Sequence, residues 1–271
     1  MAEISAKDVM SLRNRTGLAM MECKKALAEA EGDVDKAEEL LRKKLKGKME
    51  KRADRAAGEG RVAVALAGDG SAAAILELRA ETDFTAKNEQ FIETADKLAA
   101  MALASGSDGD VAQNAEMESM IDAIRAKTGE NISMPRARRV SGQGGTTFGK
   151  YVHHDGKTGV LLVASGDVST DDLAKVGMHV TAAVPRPLGL SPDEIPADLV
   201  EKEKKFRIEQ AVESGKPQEI AEKMVEGGMK KFFAEVALLE QKFVMDEKQS
   251  IKQFVAPGEI TAFFRWEVGE G

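Results

Sequence analysis

Three short helical stripes open the chain. Val9 and Leu12 share a face behind Ser5, a residue suited to cap a helix, and Asp8 lies three positions on in the capping-box place. Thr16-Gly17 ends that stripe. Met20, Cys23, Ala26, Leu27 and Ala30 then recur at i, i+3, i+4 spacing, and Gly32-Asp33 closes this helix and caps a third through Val34, Ala37, Leu40 and Leu41. The spacing predicts a three-helix bundle. At under about 50 residues such a bundle buries little area of its own. The basic run that follows, Arg42, Lys43, Lys44, Lys46, Lys48, Lys51, Arg52 and Arg55, is broken only by Glu50 and Asp54 among charged residues and reads as a linker, either a solvated tether or a helix end.

From Arg61 the hydrophobic period shortens to that of strands. Residues 61–68 and 72–80 flank the hairpin signal Asp69-Gly70, and a helical stretch runs from Thr82 to about Leu103. Asp108 to Ala126 reads as a further helix, and 141–147 as a glycine-rich loop. The order then repeats: Lys150 to His154, the turn Asp155-Gly156, a strand from Thr158, and a helix from Ser169 to about Ala183. Two related units, each a hairpin with a helix on it, are expected side by side. Pro185, Pro187, Pro192 and Pro196 mark an extended approach to two charged helices, Ala197–Glu213 and Gln218–Val236, joined at Ser214-Gly215-Lys216-Pro217. Their apolar positions, Leu199, Val200, Phe206, Ile208 and Val212 against Ile220, Met224, Val225, Met229, Phe232, Phe233 and Val236, suggest an antiparallel hairpin with facing apolar sides. Such an arm projects roughly 25–30 Å at a helical rise of about 1.5 Å per residue. Residues 259–268 form a last strand returning to the second unit. The fold class is therefore α+β. The expected segments are 1–55, the bundle with its linker; 56–140, the first core subdomain; 141–184 with 229–271, the second; and 185–228, a coiled-coil arm.

Composition narrows the partners. With 271 residues, 42% hydrophobic and a net charge of -7, the chain is long enough for buried cores and carries no overall basic field for nucleic acid or an anionic membrane. Aromatic residues make up 4%, too few for a base-stacking platform, so a protein partner is favoured. No stretch reaches the roughly 18 apolar residues of a membrane span. Cys23 is the one cysteine and the N-terminus lacks a signal-peptide core, which together predict a cytoplasmic protein.

Candidate chemistry is sparse. Gly144 to Tyr151 almost spells a phosphate-binding loop, but Tyr151 stands where Ser or Thr must hold Mg²⁺, and the run precedes a hairpin rather than a helix. No nucleotide site, metal site or other cofactor is expected. His153, His154 and His179 lack metal-ligand spacing, and adjacent His153 and His154 are expected on opposite faces of a strand. Cys23, beside Lys24 and Lys25, reads as a small packed residue. With no nucleophile, base and metal set, the chain is not read as an enzyme. Glu81-Thr82-Asp83-Phe84-Thr85 has two readings: a helix cap with Phe84 in the core, or an exposed carboxylate and ring forming a wedge. The lysine-rich run and the glycine-rich loop leave an RNA- or ribosome-binding module as the rival class, distinguished by a steep salt dependence.

Longer motifs carry a resemblance. Leu12-Arg13-x-x-Thr16-Gly17-x-x-Met20-Met21-x-Cys23-Lys24-Lys25-Ala26-Leu27, Thr82-Asp83-Phe84, Gly215-Lys216-Pro217-x-Glu219 through Gly227, Phe243-Val244-Met245 and Glu267 through Gly271 resemble, in order and over nearly the whole chain, elongation factor Ts, the guanine nucleotide exchange factor of elongation factor Tu. The resemblance implies a ubiquitin-associated-like N-terminal bundle, with Leu12, Met20, Met21, Cys23 and Lys24 in its partner-binding segment. It implies that Thr82, Asp83 and Phe84 form the wedge that disturbs the partner's Mg²⁺ site. One of His153 and His154 matches a family contact histidine, and Val244 and Met245 match contacts to another partner domain. Elongation factor Tu is the implied partner, as a heterodimer or a dimer of heterodimers. One departure is the ending at Gly271, where bacterial members often continue into a short helical module.

Overall fold

The computed structural model describes residues 4–50, 52, 54–215 and 217–270. Lys51, Lys216 and Gly271, and the side chains of Arg42, Lys46, Lys48 and Glu50, lie outside the described residues. In chain order the elements are α1 (Ala6–Thr16), α2 (Met20–Glu29), α3 (Val34–Glu50), β1 (Glu59–Leu66), β2 (Ala72–Ala80), α4 (Asp83–Ala86), α5 (Glu89–Ala104), β3 (Gly109–Asp110), α6 (Ala115–Thr128), β4 (Ser133–Ser141), β5 (Thr146–Val152), β6 (Thr158–Ser165), α7 (Thr170–Ala182), α8 (Ala197–Glu213), α9 (Gln218–Val236), β7 (Lys242–Phe243), β8 (Asp246–Ser250), α10 (Ile251–Phe254) and β9 (Glu259–Glu267). The fold is α+β, with sheets ordered β1-β2-β4-β3, β5-β6-β9 and β7-β8.

The chain divides into two compact units. The first comprises Met1–Ala63, Leu76–Arg138 and Glu267–Gly271. Its bundle follows the sequence stripes: the Ser5 hydroxyl accepts the Asp8 N–H, Gly17 ends α1 with φ 70°, and Asp33 caps α3 by accepting from Asp35 and Lys36 N–H. Val9, Leu12, Leu18, Cys23, Ala26, Leu27, Ala30, Ala37 and Leu41 form its core. The basic run is not a tether from its start, because α3 continues through it to Glu50. Lys43 pairs with Glu39 one turn back at 2.7 Å and Lys44 with Glu29 of α2, so helical geometry gives these charges acidic partners.

Two further expectations change in this unit. The stretch from Thr82 is two helices, because Asn88 takes extended backbone and caps α5 through the Gln90 N–H. The helix expected from Asp108 begins only at Ala115, after β3 and the Asn114 cap. Glu77 of β2 is a fully buried carboxylate paired with Arg79 Nε and Arg136 Nε, each at 2.6 Å. It also accepts the Gly269 N–H at 3.0 Å. A carboxylate taken from water is tolerated only with such charge-assisted partners.

The second unit comprises Val64–Ile75 and Arg139–Trp266. β5 and β6 pair antiparallel with Phe148 opposite Val163 and Tyr151 opposite Val160. The glycine-rich run is the connection from β4 to β5, where the Gly142 N–H donates to Ser71 O at 2.7 Å. α7 buries Leu173, Val176 and Val180 in a core with Val160, Leu162, Leu238, Phe243, Ile251 and Ile260. Two glycines allow its close approach to β5. A Cβ on Gly149 would lie 2.2 Å from Leu173 Cβ, and one on Gly177 would lie 2.5 Å from Tyr151 Cβ.

α8 and α9 form the antiparallel hairpin, but its apolar sides do not close on each other as the sequence suggested. Phe206, Ile208, Val212, Ile220 and Met224 are exposed. Within these helices only Ala211 and Val236 are buried among the described residues, because two helices alone share a narrow seam. Towards the base Val200, Phe232 and Phe233 pack on Ile195, Val236 and Ala237.

We expect Gly149→Ala to lower stability by about 1–3 kcal/mol through overpacking against Leu173. Urea unfolding should show a lower midpoint with an unchanged slope. An unchanged midpoint would mean that α7 can shift away freely.

Candidate functional site

The most exposed aromatic ring stands at the tip of the shortest kind of helix. α4 spans four residues, with Thr82 as N-cap accepting the Thr85 N–H. Phe84 is 84% exposed, so the sequence alternative that buried it in the core is excluded. Thr85 and Ala86, on the other side of the turn, are buried. Asp83 beside the ring pairs with Lys87 at 2.7 Å, an i, i+4 contact along the same turn. Hydrogen bonding to the Lys87 ammonium holds the Asp83 carboxyl below its ordinary range, so it is ionised at neutral pH.

So short a helix has no cooperative stability, and its brace comes from the loop after α6. Glu130 Oε2 accepts the backbone N–H groups of Glu81 at 3.1 Å and Thr82 at 3.2 Å. Its Oε1 accepts the hydroxyls of Thr82 at 2.6 Å and Thr85 at 2.7 Å. The loop is held in return: the Asn131 N–H donates to Glu81 Oε1 at 2.7 Å, and Asn131 Nδ2 donates to Arg55 O at 2.8 Å. Burial alone would raise the Glu130 pKa, but the two hydroxyls and two amides outweigh it and hold the carboxyl below its ordinary range.

The other candidates fall into three places. On the bundle Met20 and Met21 are 43% and 63% exposed at the start of α2, and Lys24 is exposed one turn on. Leu12 and Cys23, named with them, present no surface. Leu12 is core, and the Cys23 thiol points inward, 3.9 Å from Leu18 O and 3.7 Å from the Thr16 hydroxyl. Both are packed in the bundle core. His153 and His154 do not sit on opposite strand faces, because β5 ends at Val152. They share the hairpin turn, where the Gly156 N–H donates to His153 O at 2.8 Å and their rings meet edge-on at 4.3 Å. His153 Nδ1 lies 3.0 Å from the Tyr151 hydroxyl, while His154 is exposed. Val244 and Met245 form the turn between β7 and β8 and are 45% and 52% exposed.

Among the described residues no group of His, Cys, Asp and Glu could hold a metal ion, and no helix is long and apolar enough to cross a membrane.

A family profile described as Elongation factor TS matches residues 81–270. The chain is 45% identical to elongation factor Ts of Pasteurella multocida over 274 residues, covering 100% of this chain and 94% of that protein. It is 43% identical to elongation factor Ts of Hydrogenovibrio crunogenus over 278 residues, covering 99% and 92%. With elongation factor Ts of Thiobacillus denitrificans the identity is 42% over 281 residues, covering 100% and 94%.

The chain belongs to the elongation factor Ts family. As a member it is a translation elongation factor, with a role in protein biosynthesis. The elongation factor Ts match begins at Glu81, at the base of the exposed tip. The brace from Glu130 was not visible in the sequence. It lies 48 positions from Thr82, and a glutamate after a helix-ending glycine has many bland explanations.

Removing the Glu130 carboxylate should loosen α4 without unfolding the unit. For Glu130→Ala we expect amide protection at Thr82 and Thr85 to fall by about 1–3 kcal/mol, as for lost bonds to a charged group. The sign with pH follows from the lowered carboxyl. Its contribution is full above the unfolded value of about 4.3 and is lost as pH falls through the lower folded value. Wild-type protection measured by hydrogen exchange should therefore hold down to about pH 4.3 and fade below it, whereas the variant should show no such step.

Proposed function

We propose that this chain is the guanine nucleotide exchange factor of elongation factor Tu. It binds the GDP-loaded GTPase, disturbs the Mg²⁺ and phosphate contacts, and lets GDP leave so that GTP can rebind. The observation that carries this is the presentation of Phe84, 84% exposed beside an ionised Asp83 on a helix braced by Glu130. A large ring kept in water on a fixed base is suited to entering another protein. A carboxylate beside it competes for the cation and water shell that hold a nucleotide's phosphates.

The tip alone is too small to drive exchange. By linkage, if the factor weakens GDP binding, GDP weakens binding of the factor equally. A 10⁴-fold effect needs roughly 5.5 kcal/mol of differential binding, more than one or two side chains supply. We assign the rest to docking surfaces: Met20, Met21 and Lys24 on the bundle, the turn with His153 and His154, and the turn with Val244 and Met245. Segments 1–55 and 141–184 with 229–271 then anchor, while 56–140 carries the wedge. The factor does no covalent chemistry and binds no nucleotide of its own. It acts in the cytoplasm as a heterodimer with elongation factor Tu or a dimer of heterodimers.

Stopped-flow release of a fluorescent GDP from elongation factor Tu tests the assignment. Asp83→Ala with Phe84→Ala should fold normally, still bind, and lower the maximal release rate by about tenfold or more, a barrier increase of about 1.4 kcal/mol. Unchanged release would refute the wedge. Val244→Ala with Met245→Ala should instead leave the maximal rate near wild type and shift the concentration needed to reach it upward, about tenfold for a loss of about 1.4 kcal/mol of docking. A fall in the maximal rate with no such shift would place that turn in the release step.

A further inference from the structure

Behind the Val244–Met245 turn lies a buried imidazole that the exchange chemistry does not use. His179 of α7 is 1% exposed. Its Nδ1 accepts the Val244 N–H at 3.2 Å, and its Nε2 lies 3.0 Å from Gln241 Oε1. A backbone N–H only donates, so Nδ1 must carry the lone pair and Nε2 the proton, which goes to Gln241 Oε1. The amide of Gln241 confirms the orientation from its other end, because Gln241 Nε2 donates to Pro185 O at 3.0 Å and to Glu235 O at 2.7 Å. Every polar atom of the pair is thereby committed in one direction. The base of the turn is fixed beside it by Phe243, buried, stacked on Phe254 at 4.3 Å and tilted to the His179 ring at 6.1 Å.

We propose that His179, oriented by Gln241, is the positioning residue of the Val244–Met245 docking turn, setting the backbone from which both exposed side chains project toward elongation factor Tu. This rests on the exchange function proposed above. The turn joins β7, of two residues, to β8, and the pairing is irregular at Lys242 and Phe243, so the ladder alone defines it weakly. Two large apolar side chains held out in water by so small a ribbon need a fixed backbone to meet a partner in one geometry. The imidazole supplies the bond at the residue where exposure begins.

The charged groups on the elements packed around the ring are Lys175 on α7, Arg186 in the segment after it, Glu235 ending α9, Glu240 and Lys242 flanking Gln241, and Asp246 opening β8. All are exposed. Lys175 is paired with Asp172. Burial, only partly opposed by the Gln241 hydrogen bond, lowers the His179 pKa and keeps the ring neutral. Protonation would put a second donor against the Val244 N–H. The stabilising bond is therefore complete above the unfolded value of about 6.5 and is lost as pH falls through the lower folded value.

Two substitutions in the full chain separate positioning from mere filling. Asn at 179 can place an oxygen near the position of Nδ1 and keep the bond to Val244 while losing Gln241. Gln reaches the position of Nε2, keeping Gln241 and losing Val244. Each leaves one buried group unpaired, so the two should be destabilised alike. We expect His179→Gln to weaken binding to elongation factor Tu about tenfold and to lose hydrogen-exchange protection at the Val244 amide, with His179→Asn within about threefold of wild type in both. Equal affinities in the two variants, or undiminished Val244 protection in His179→Gln, would overturn the proposal. Should both variants fail to fold, wild-type protection at Val244 decides: it should fall on acidification below about pH 6.5, and a flat profile to pH 5 would overturn the assignment. If the wild-type chain itself does not bind elongation factor Tu, the exchange function falls, and Val244 protection, read on the free chain, still supports or overturns the positioning role.

Discussion

An exposed phenylalanine on a four-residue helix has to be held by something other than its own helix, and here one carboxylate does it. Glu130 takes two hydroxyl and two amide hydrogens from Glu81, Thr82 and Thr85, the residues on either side of Asp83 and Phe84. The geometry is economical in sequence terms, since Thr82 both caps the helix and donates to its brace. Arg55 and Asn131 extend the same lattice toward the end of the basic linker. The place of the tip depends on that lattice, because the exposed ring has no core of its own to fix it.

In the proposed function, anchoring and disturbance fall to different kinds of structure. Met20, Met21, Val244 and Met245 are flexible or branched apolar side chains on well-packed bases, suited to area and adaptation. Leu12 and Cys23 belong to the first of those bases, buried in the bundle core. The charged pair Asp83–Lys87 is of another sort. Mostly in water and easily exchanged, it contributes little to stability, and in the proposed function its carboxylate would be exchangeable for a different cation.

Much of this was legible in the chain. Caps at Ser5 and Asp33, glycines at 17 and 32, a helix start at Ser169, and i, i+3, i+4 spacing located the bundle, α7 and the arm because each signal is local. β4 was not legible. Its sequence carries Pro135 and three arginines, and its buried residues, Met134 and Ala137, are three apart rather than two, so no alternation announces a strand. One of these arginines, Arg136, is accommodated by the buried Glu77, a partner 59 positions away. The break at Asn88 hid because asparagine mid-pattern reads as a tolerated helix residue until its cap bond is seen. The run from Glu81 to Thr85 was an open choice between a helix cap with Phe84 in the core and an exposed tip. The structure makes Thr82 the cap, as the first reading had it, and leaves Phe84 exposed, as the second had it. Glu130 and His179 share one reason for escaping notice: each acts through pairings 45 to 65 positions long, and single-sequence periodicity carries no distance information of that kind.

The brace under Phe84 also bears on how fast a complex can form. Ordering a loop and an aromatic side chain at the moment of contact ordinarily consumes a share of the interaction energy and rejects many encounters. In the proposed function, a ring whose backbone is braced by Glu130 before contact would arrive preorganised, leaving more of its contact energy for the partner and sparing the loop a search before a well-oriented collision becomes productive.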